Sequence, residues 1–328
     1  MTSEATPVHV TVRVPGKINL ELVVGPRRSD GYHELVTVFQ AVSVYDDVRV
    51  EPAREWSVTM SGPHGDAVPV DSSNVALKAA QALAERAGEF VESGSTSRIG
   101  PVAISIDKHI PVAAGMAGGS ADAAATLVAC ADLWDLSVLR DDLEVIAREI
   151  GADVPFMLHG GTAVGSGRGD DISPVLAQGD AHWVLWISTG AGLSTAEVYA
   201  EFDRLHAEDP PAPPQLSPVL ASALRTMNPE AMGSALNNNL ATAALSLQPH
   251  LQSVLDAGLD LGARGAVISG SGPTVAFLVS SPAEALDLSM GLAARGPGGD
   301  IVRATGPVPG AHVIDSRGPG ITPRLGSV

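Results

Sequence analysis

Regular spacing of apolar residues predicts β-structure at the start of the chain. Residues 8–14 (VHVTVRV) and 18–22 (INLEL) place an apolar side chain at every second position. Because successive side chains of a strand point to opposite faces, this pattern predicts two strands within 8–24, separated by Pro15-Gly16. The same criteria predict further strands over 35–44, 47–50, 102–107, 154–158, 182–188, 265–269, 274–279 and 311–315, and a tight hairpin over 160–171.

Helices are predicted where apolar residues recur every three or four positions. Residues 74–88 have this spacing and begin with Asn74 or Ser73 as a potential N-cap. Further helices are predicted over 120–134, 141–150, 229–257 and 282–295, and a surface loop over the proline-rich segment 207–214. This mixture of hairpins and helices predicts an α+β fold. At roughly 100–200 residues per domain, 328 residues predict two domains, over 1–170 and 171–316, followed by a loose tail at 317–328.

Composition and charge exclude several classes of protein. With 45% hydrophobic and 17% charged residues, the chain can bury a large core. A net charge of −17 argues against a nucleic-acid binder and against a polybasic membrane protein, but it does not exclude a small phosphorylated ligand. One cysteine, Cys130, cannot form an internal disulfide. Neither a signal peptide nor an apolar run long enough to span a bilayer is recognisable, so we expect a cytoplasmic protein.

A segment rich in glycine and alanine, PVAAGMAGGSADAAA at 111–125, has the properties of an anion site. Its small residues allow consecutive N–H groups to point at one anion, and the predicted helix adds its positive N-terminal end. Asp122 in the first turn would complement that helix dipole. A flexible loop before an alanine-rich helix is the alternative interpretation.

Polar side chains of the first predicted strand form a second candidate site. Lys17 and Asn19 are two residues apart and project from one face, where they could bind a hydroxyl or a phosphate oxygen. After an Asp30-Gly31 turn, Tyr32 and His33 offer stacking and hydrogen bonding to a heterocyclic base. A solvated edge pair and a tyrosine at the rim of the core are the alternatives.

Two short segments complete the candidate chemistry. Asp153, in GADVPF, lies between apolar residues, so its carboxylate needs a partner or acts as an acid or base; Lys17 would keep it ionised. Gly270 and Gly272, in SGSGPTVAF, permit close approach of the backbone to a ligand or to another loop. The alternatives are a turn aspartate that bonds its own backbone at Asp153 and an ordinary β-turn at 269–273.

Taken together and in this order, these motifs resemble those of the GHMP kinase superfamily. The loop P-x-x-x-G-[LM]-x-G-x-S is typical of the superfamily. The segments PGKINL, DGYHEL, IDKHIPVAAGMAGGS and GADVPF are similar to those of the 4-diphosphocytidyl-2-C-methyl-D-erythritol kinase family of non-mevalonate isoprenoid biosynthesis. The resemblance extends from about Val10 to about Phe277.

The resemblance implies a two-domain GHMP kinase fold with its active site in the cleft between the domains. It implies transfer of the ATP γ-phosphate to the 2-hydroxyl of 4-diphosphocytidyl-2-C-methyl-D-erythritol, with Mg²⁺ as the metal. Asp153 would be the catalytic base and Lys17 its partner. Asn19, Tyr32, His33, Thr195 and Tyr199 would bind the substrate, the aromatic residues at its cytosine.

The resemblance also assigns the ATP site. The implied ATP-binding residues are the loop and two outlying positions: Pro111, Val112, Ala113, Ala114, Gly115, Met116, Ala117, Gly118, Gly119, Ser120 and Ala121, with Asn74 and Lys108 at the adenine end. Ser120 would also contribute a hydroxyl to Mg²⁺. The implied partner is a small cytidine diphosphate-linked polyol, with no nucleic acid or membrane partner, and the protein would be a monomer or a homodimer.

Three functional hypotheses remain open at this point. The first is the cytidylyl-polyol kinase itself. The second is another member of the superfamily, such as a homoserine, mevalonate or galactose kinase or a decarboxylase, none of which needs a cytosine pocket. The third is a catalytically silent nucleotide-binding protein, against which Lys17 and Asp153 argue. One departure from the family is Asn238-Asn239-Leu240 in the predicted helix, where the family commonly shows Asn-Asp-Leu.

Overall fold

A computed structural model describes residues 8–91, 98–177, 179–190, 192–296 and 298–317 of the chain. Its strands are β1 (His9–Arg27), β2 (His33–Pro52), β3 (Ser57–Ser61), β4 (Val102–Asp107), β5 (Thr162–Gly167), β6 (Asp171–Pro174), β7 (Ala181–Ile187), β8 (Asn237–Asn238), β9 (Gly265–Ile268), β10 (Val275–Val279), β11 (Asp300–Gly306) and β12 (His312–Arg317). The α-helices are α1 (Val75–Arg86), α2 (Gly118–Leu133), α3 (Arg140–Ile150), α4 (Val154–His159), α5 (Thr195–Leu205), α6 (Pro218–Thr226), α7 (Pro229–Ala235), α8 (Ala241–Leu247), α9 (His250–Asp260) and α10 (Pro282–Arg295).

The strands form two sheets. In the first, the order is β12-β1-β2-β4-β3, with β5 and β6 branching from β2 and the short β8 parallel to β1. In the second, the order is β11-β7-β10-β9, and each neighbouring pair is antiparallel. β12, near the end of the described chain, pairs with β1 in the first sheet. The boundary between two domains near residue 170 stays a prediction. The proposed tail at 317–328 lies, after Arg317, outside the described residues.

Helix α2 is the centre of the first hydrophobic core. Nearly every residue from Ala121 to Asp132 is buried, because the alanine-rich sequence presents small apolar surface on all sides. It contacts α1, α4 and the long strands β1 and β2. Cys130 is fully buried in this core as a free thiol, and burial raises the pKa of that thiol. A second cluster packs α5, α9 and α10 against the second sheet.

Several predictions about single elements are wrong. Residues 154–158 form helix α4 and not a strand; Pro155 lies in the first turn, where its missing N–H costs no hydrogen bond. Residues 9–24 belong to one strand, β1, because the chain accommodates Pro15-Gly16 as an irregularity in its register with β2. The predicted helix 229–257 is divided into α7, β8, α8 and part of α9, since Asn237 and Asn238 pair with β1.

Other elements agree with the sequence patterns. Helix α10 spans the predicted residues, α1 begins after its cap Asn74, and α2 starts two residues before the predicted position. Residues 207–214 contain neither helix nor strand, as expected from their prolines. Among the described residues, β3, β11, α5 and α6 were not predicted; α5 proves to be important for the site.

Candidate active site

A cleft of about 910 Å³ lies between the glycine-rich loop with its neighbouring strands and helix α5. Residues of β1, β2 and the glycine-rich loop line one side, and residues of α5 and the 269–273 turn line the other. This volume lies at the upper end of the range for small-molecule sites. The superfamily resemblance predicted an active site in such a position.

The backbone of the glycine-rich loop has the geometry of an anion cradle. Ala113, Gly115 and Ala117 have positive φ angles of 52°, 76° and 58° and alternate with residues of ordinary φ. Such alternation turns successive N–H groups toward one point, and the N-terminus of α2 begins directly afterwards. Two of the three residues are alanines, for which this conformation costs energy, as at other sites where strain accompanies function.

Most of the loop predicted to bind ATP faces the cleft. The lining residues are Pro111, Ala113, Ala114, Gly115, Ala117, Gly118, Gly119 and Ser120. Three further residues do not line it: the side chains of Met116 and Ala121 are buried below the loop, and Val112 is exposed outside the cleft. Met116 nevertheless ties the loop to β1, because its carbonyl accepts a hydrogen bond of 3.2 Å from the N–H of Lys17.

The side chains of Asn74 and Lys108 bind protein partners rather than line the cleft, and their contact with adenine stays a prediction. Asn74 caps α1, accepting from the N–H of Ala76 at 2.9 Å and donating to the carbonyl of Pro69. Lys108 is 1% exposed and its ammonium lies 2.5 Å from Asp46 and 2.8 Å from Asp122. Local sequence does not reveal this, since Asp46 lies 62 residues away from Lys108.

Lys108 supports the glycine-rich loop from its buried side. Its ammonium donates to the carbonyl of Gly118 at 3.0 Å, and a Cβ on Gly118 would lie only 2.9 Å from that ammonium. Burial, opposed by Lys108 and assisted by Asp46, raises the pKa of Asp122 to about 8. Burial thus favours the neutral form of Asp122, and the 2.8 Å contact with Lys108 opposes it. Asp122 also lies beyond the first turn of α2, which begins at Gly118, so it is not the first-turn acidic residue that the sequence predicted.

Lys17 occupies the boundary between the loop and the rest of the cleft. Its ammonium donates to Asn19 Oδ1 at 2.7 Å and to the carbonyl of Gly115 at 2.8 Å. Asn19 is held in turn by its donation to Thr37 Oγ1 at 2.8 Å. The predicted common face of Lys17 and Asn19 on β1 is present, and it is buried rather than solvated.

Asp153 faces Lys17 across the cleft. Asp153 Oδ2 lies 3.9 Å from Lys17 Nζ, and the Asp153 side chain is 33% exposed, less secluded than its apolar neighbours predicted. Burial lowers the pKa of Lys17, and the negative charge of Asp153 opposes that effect. The carboxylate is thus close to a cation, open to a ligand and positioned at the start of α4.

The turn at 269–273 packs against the glycine-rich loop. Ser269 Oγ donates to the carbonyl of Gly115 at 3.0 Å, and a Cβ on Gly115 would lie 2.1 Å from the carbonyl oxygen of Ser269. Gly270 has a φ of 56°, and a Cβ there would lie 3.2 Å from Lys17 Nζ. The glycines therefore permit close approach to another loop, which is one of the two alternatives that the sequence left open.

Aromatic and polar side chains gather at the other end of the cleft. His33 stacks on Tyr199 with 5.2 Å between ring centroids, and Tyr32 is 57% exposed beside the guanidinium of Arg168. Burial, with a smaller effect of the negative charge of Asp153, raises the pKa of Tyr199. Tyr199 and His33 line the same cleft as Lys17 and Asp153. Thr195, at the start of α5, shares a 3.1 Å hydrogen bond with Ser271.

Sequence reasoning missed five polar residues that line the cleft. These are Arg27, Thr37, Arg168, Asp203 and Ser271. Arg27 and Arg168 stand in polar, glycine-containing stretches, which offered a weak signal. Asp203 offered none, because its position depends on helix α5. Asn239 lies outside the cleft lining, and its side-chain oxygen accepts from the N–H of Val24 at 2.9 Å to hold the end of β1.

Comparison with known proteins agrees with this architecture. Residues 74–161 match the family model for the N-terminal domain of GHMP kinases, and residues 220–297 match the model for their C-terminal domain. A solved homoserine kinase from Cytophaga hutchinsonii shares the fold, with a TM-score of 0.73 and 18% identity over 96% of this chain and all of its own. The fold and the loop at its cleft define the protein as a GHMP kinase.

Two nearer relatives narrow this class. A "4-diphosphocytidyl-2-C-methyl-D-erythritol kinase" from Mycolicibacterium gilvum is 52% identical over 317 residues, covering 95% of each chain. A crystal structure of 4-(cytidine 5'-diphospho)-2C-methyl-D-erythritol kinase has a TM-score of 0.70 and 33% identity, covering 90% of this chain and 98% of its own. The chain belongs to the 4-diphosphocytidyl-2-C-methyl-D-erythritol kinase family.

No helix among the described residues is both long and apolar enough to cross a membrane.

Proposed function

We propose that this protein transfers the γ-phosphate of ATP to the 2-hydroxyl of 4-diphosphocytidyl-2-C-methyl-D-erythritol, a step of non-mevalonate isoprenoid biosynthesis. The observation that carries the proposal is the position of the Lys17–Asp153 pair. On one side Lys17 contacts Gly115 of the anion cradle, and on the other Asp153 lines the same cleft as Tyr199 and His33. A substrate whose base binds at the aromatic end could place its hydroxyl at this pair. That hydroxyl would then lie next to a phosphate bound in the cradle.

In the proposed reaction Asp153 accepts the proton of the 2-hydroxyl. The hydroxyl oxygen forms a bond to the γ-phosphorus, the bond from that phosphorus to the bridging oxygen breaks, and ADP leaves. Lys17 neutralises part of the negative charge between the two reactants. Such transfers depend on positioning and electrostatic stabilisation more than on covalent participation of the protein.

Two neighbouring groups hold Lys17 ready for this role. Asn19 and the carbonyl of Gly115 occupy two of the three ammonium hydrogens, so the third is left for Asp153 or for a ligand oxygen. Gly115 belongs to the cradle, so the position of the cation is coupled to that of the phosphates. We propose on this basis that Lys17 orients the acceptor hydroxyl as well as balancing charge.

The hydroxyl oxygen of Ser120 is a suitable ligand for a magnesium ion that ATP brings with it. Among the described residues there is no cluster of three or more His, Cys, Asp or Glu side chains that could hold a metal. Mg²⁺ commonly keeps several waters and takes few protein ligands beside substrate phosphates. Ser120, which lines the cleft, would offer its hydroxyl to the ion. When bound, the ion supplies neutralisation of phosphate charge.

The experiment that tests the function is ADP release by the purified protein with Mg-ATP and a panel of acceptors. The panel contains 4-diphosphocytidyl-2-C-methyl-D-erythritol, mevalonate, homoserine and galactose. We expect turnover with the cytidylyl substrate alone. Turnover with another acceptor would keep the kinase class but refute the proposed cytosine pocket. ATP binding without turnover on any acceptor would favour a silent nucleotide-binding protein.

A further inference from the structure

The imidazole of His33 is held from three directions by one helix. Tyr199 stacks on its ring at 5.2 Å, Phe202 meets it edge-on at 6.0 Å, and Asp203 Oδ1 lies 2.8 Å from Nε2. Residues three and four positions apart share one face of a helix, so α5 presents all three side chains to His33 together. The His33 side chain is only 5% exposed. Its orientation is therefore determined by α5.

The contact with Asp203 determines which ring nitrogen carries the proton. An ionised carboxylate can only accept hydrogen bonds, so Nε2 of His33 must donate. In the neutral imidazole, Nδ1 is then an acceptor. Within the described parts of the chain Nδ1 of His33 has no hydrogen-bond partner. It is also not one of the unbonded side-chain atoms that are fully buried. His33 lines the cleft, so Nδ1 is free to meet a ligand.

We propose that Asp203 is a positioning residue that makes His33 select an amino-bearing pyrimidine over a carbonyl-bearing one. This inference rests on the proposed function for the presence of a base at this end of the cleft. Cytosine carries an exocyclic amino group, a donor, at the position where uracil carries a carbonyl oxygen, an acceptor. Nδ1 as an acceptor pairs with the amino group and faces the uracil carbonyl without a hydrogen bond.

The surroundings of Asp203 fit a role in the site rather than in the core. Asp203 lines the cleft, and its side chain is 38% exposed. The guanidinium of Arg27, also at the cleft, lies 3.9 Å from Asp203 Oδ2 and offers the carboxylate a positive charge. Removal of the carboxylate charge should therefore change which ring nitrogen of His33 carries the proton, with little effect on folding.

The test measures kcat/KM for 4-diphosphocytidyl-2-C-methyl-D-erythritol and for its uridine analogue, in the wild type and in Asp203→Asn. The amide of asparagine can either accept from Nε2 or donate to it, so the tautomer of His33 is no longer imposed. Loss of one such hydrogen bond corresponds to roughly a 10- to 100-fold change in discrimination. We expect the cytidine-to-uridine ratio to fall by about that factor, mainly through KM of the cytidylyl substrate, with KM for ATP unchanged.

Two controls separate this role from a structural one. Glu197→Gln makes the same charge change on the exposed surface of α5 and should leave the ratio at its wild-type value. In a His33→Gln background, Asp203→Asn should have no further effect on the ratio, since the two residues act as one unit. An additive effect in that background would overturn the proposal.

The outcomes also distinguish this proposal from the proposed function. If the wild type phosphorylates the cytidylyl substrate and Asp203→Asn keeps the wild-type ratio, Asp203 does not set the specificity, although the function stands. An equal rise of KM for the cytidine, uridine and ATP ligands would likewise overturn the proposal. A wild type that does not phosphorylate the cytidylyl substrate would refute the proposed function and this inference with it.

Discussion

The buried charges below the phosphate loop predict an unusual dependence of stability on pH. Asp122 is 2% exposed and shares the Lys108 ammonium with Asp46, whose other oxygen accepts from the N–H groups of His109 and Ile110. Both oxygens of Asp46 therefore accept hydrogen bonds. Burial raises the pKa of Asp122 to about 8, while the ordinary value is 3.8. The folded protein thus binds a proton at Asp122 that the unfolded chain releases.

The sign and size of the effect follow from this difference. The pKa of Asp122 is higher in the folded state than in the unfolded chain, so binding of its proton stabilises the fold. This stabilisation is fully present below about pH 4 and is lost as the pH rises toward 8. Between these limits the slope for one proton is about 1.4 kcal/mol per pH unit. The asparagine in Asp122→Asn does not titrate. From pH 5 to pH 7 the free energy of unfolding of the wild type should therefore fall by about 3 kcal/mol relative to Asp122→Asn.

Urea denaturation of both proteins at pH 5, 6 and 7 measures this difference, and other titrating groups cancel in the comparison. Lys108→Met is the contrasting variant: it removes the ammonium from the buried Asp46 carboxylate and should cost about 3–5 kcal/mol at pH 7. A difference between wild type and Asp122→Asn that stays constant from pH 5 to pH 7 would refute the reasoning. It would mean that Asp122 is already ionised at pH 5 and pairs with Lys108.

Two further predictions concern the two ends of the cleft. Gly115→Ala should raise KM for ATP at least about tenfold and lower stability by about 2 kcal/mol, because its φ is 76° and its Cβ would meet the Ser269 carbonyl at 2.1 Å. Gly88→Ala, whose Cβ meets nothing within 4 Å, should change neither quantity in the same kinetic and denaturation assays. Tyr32→Ala should raise KM for the cytidylyl substrate alone, by roughly 10-fold or more through lost stacking; an equal change for ATP in steady-state kinetics would contradict its assignment.

Sequence patterns predicted those parts of the fold that depend on local spacing. α10 and α1 have clear periodicity and cap residues, and Lys17 and Asn19 share a face because strands alternate. The apolar run at 154–158 is too short to distinguish a strand from a buried helix by period. The helix α4 that it forms depends on packing against α2 and α3.

Contacts between distant segments determined what sequence could not predict. The family resemblance places Lys108 at the adenine end, and nothing near Lys108 in sequence reveals its partner Asp46. The positive φ angles of Ala113 and Ala117 are imposed by the folded loop, since alanine does not favour them. Asp203 reaches His33 across 170 residues through a helix that the sequence did not predict. The identity of each of these residues was visible, but its partner was not.

The central claim is that Asp153 accepts the substrate proton beside Lys17. The most direct measurement is the rate of phosphoryl transfer to 4-diphosphocytidyl-2-C-methyl-D-erythritol by Asp153→Asn, together with its affinity for ATP. Asp171→Asn, at an exposed carboxylate 73% accessible to solvent, is the matched control. We predict a loss of roughly 10²–10⁴-fold in rate with ATP affinity retained, and a control that behaves as the wild type. Turnover of Asp153→Asn at the wild-type rate would contradict the account.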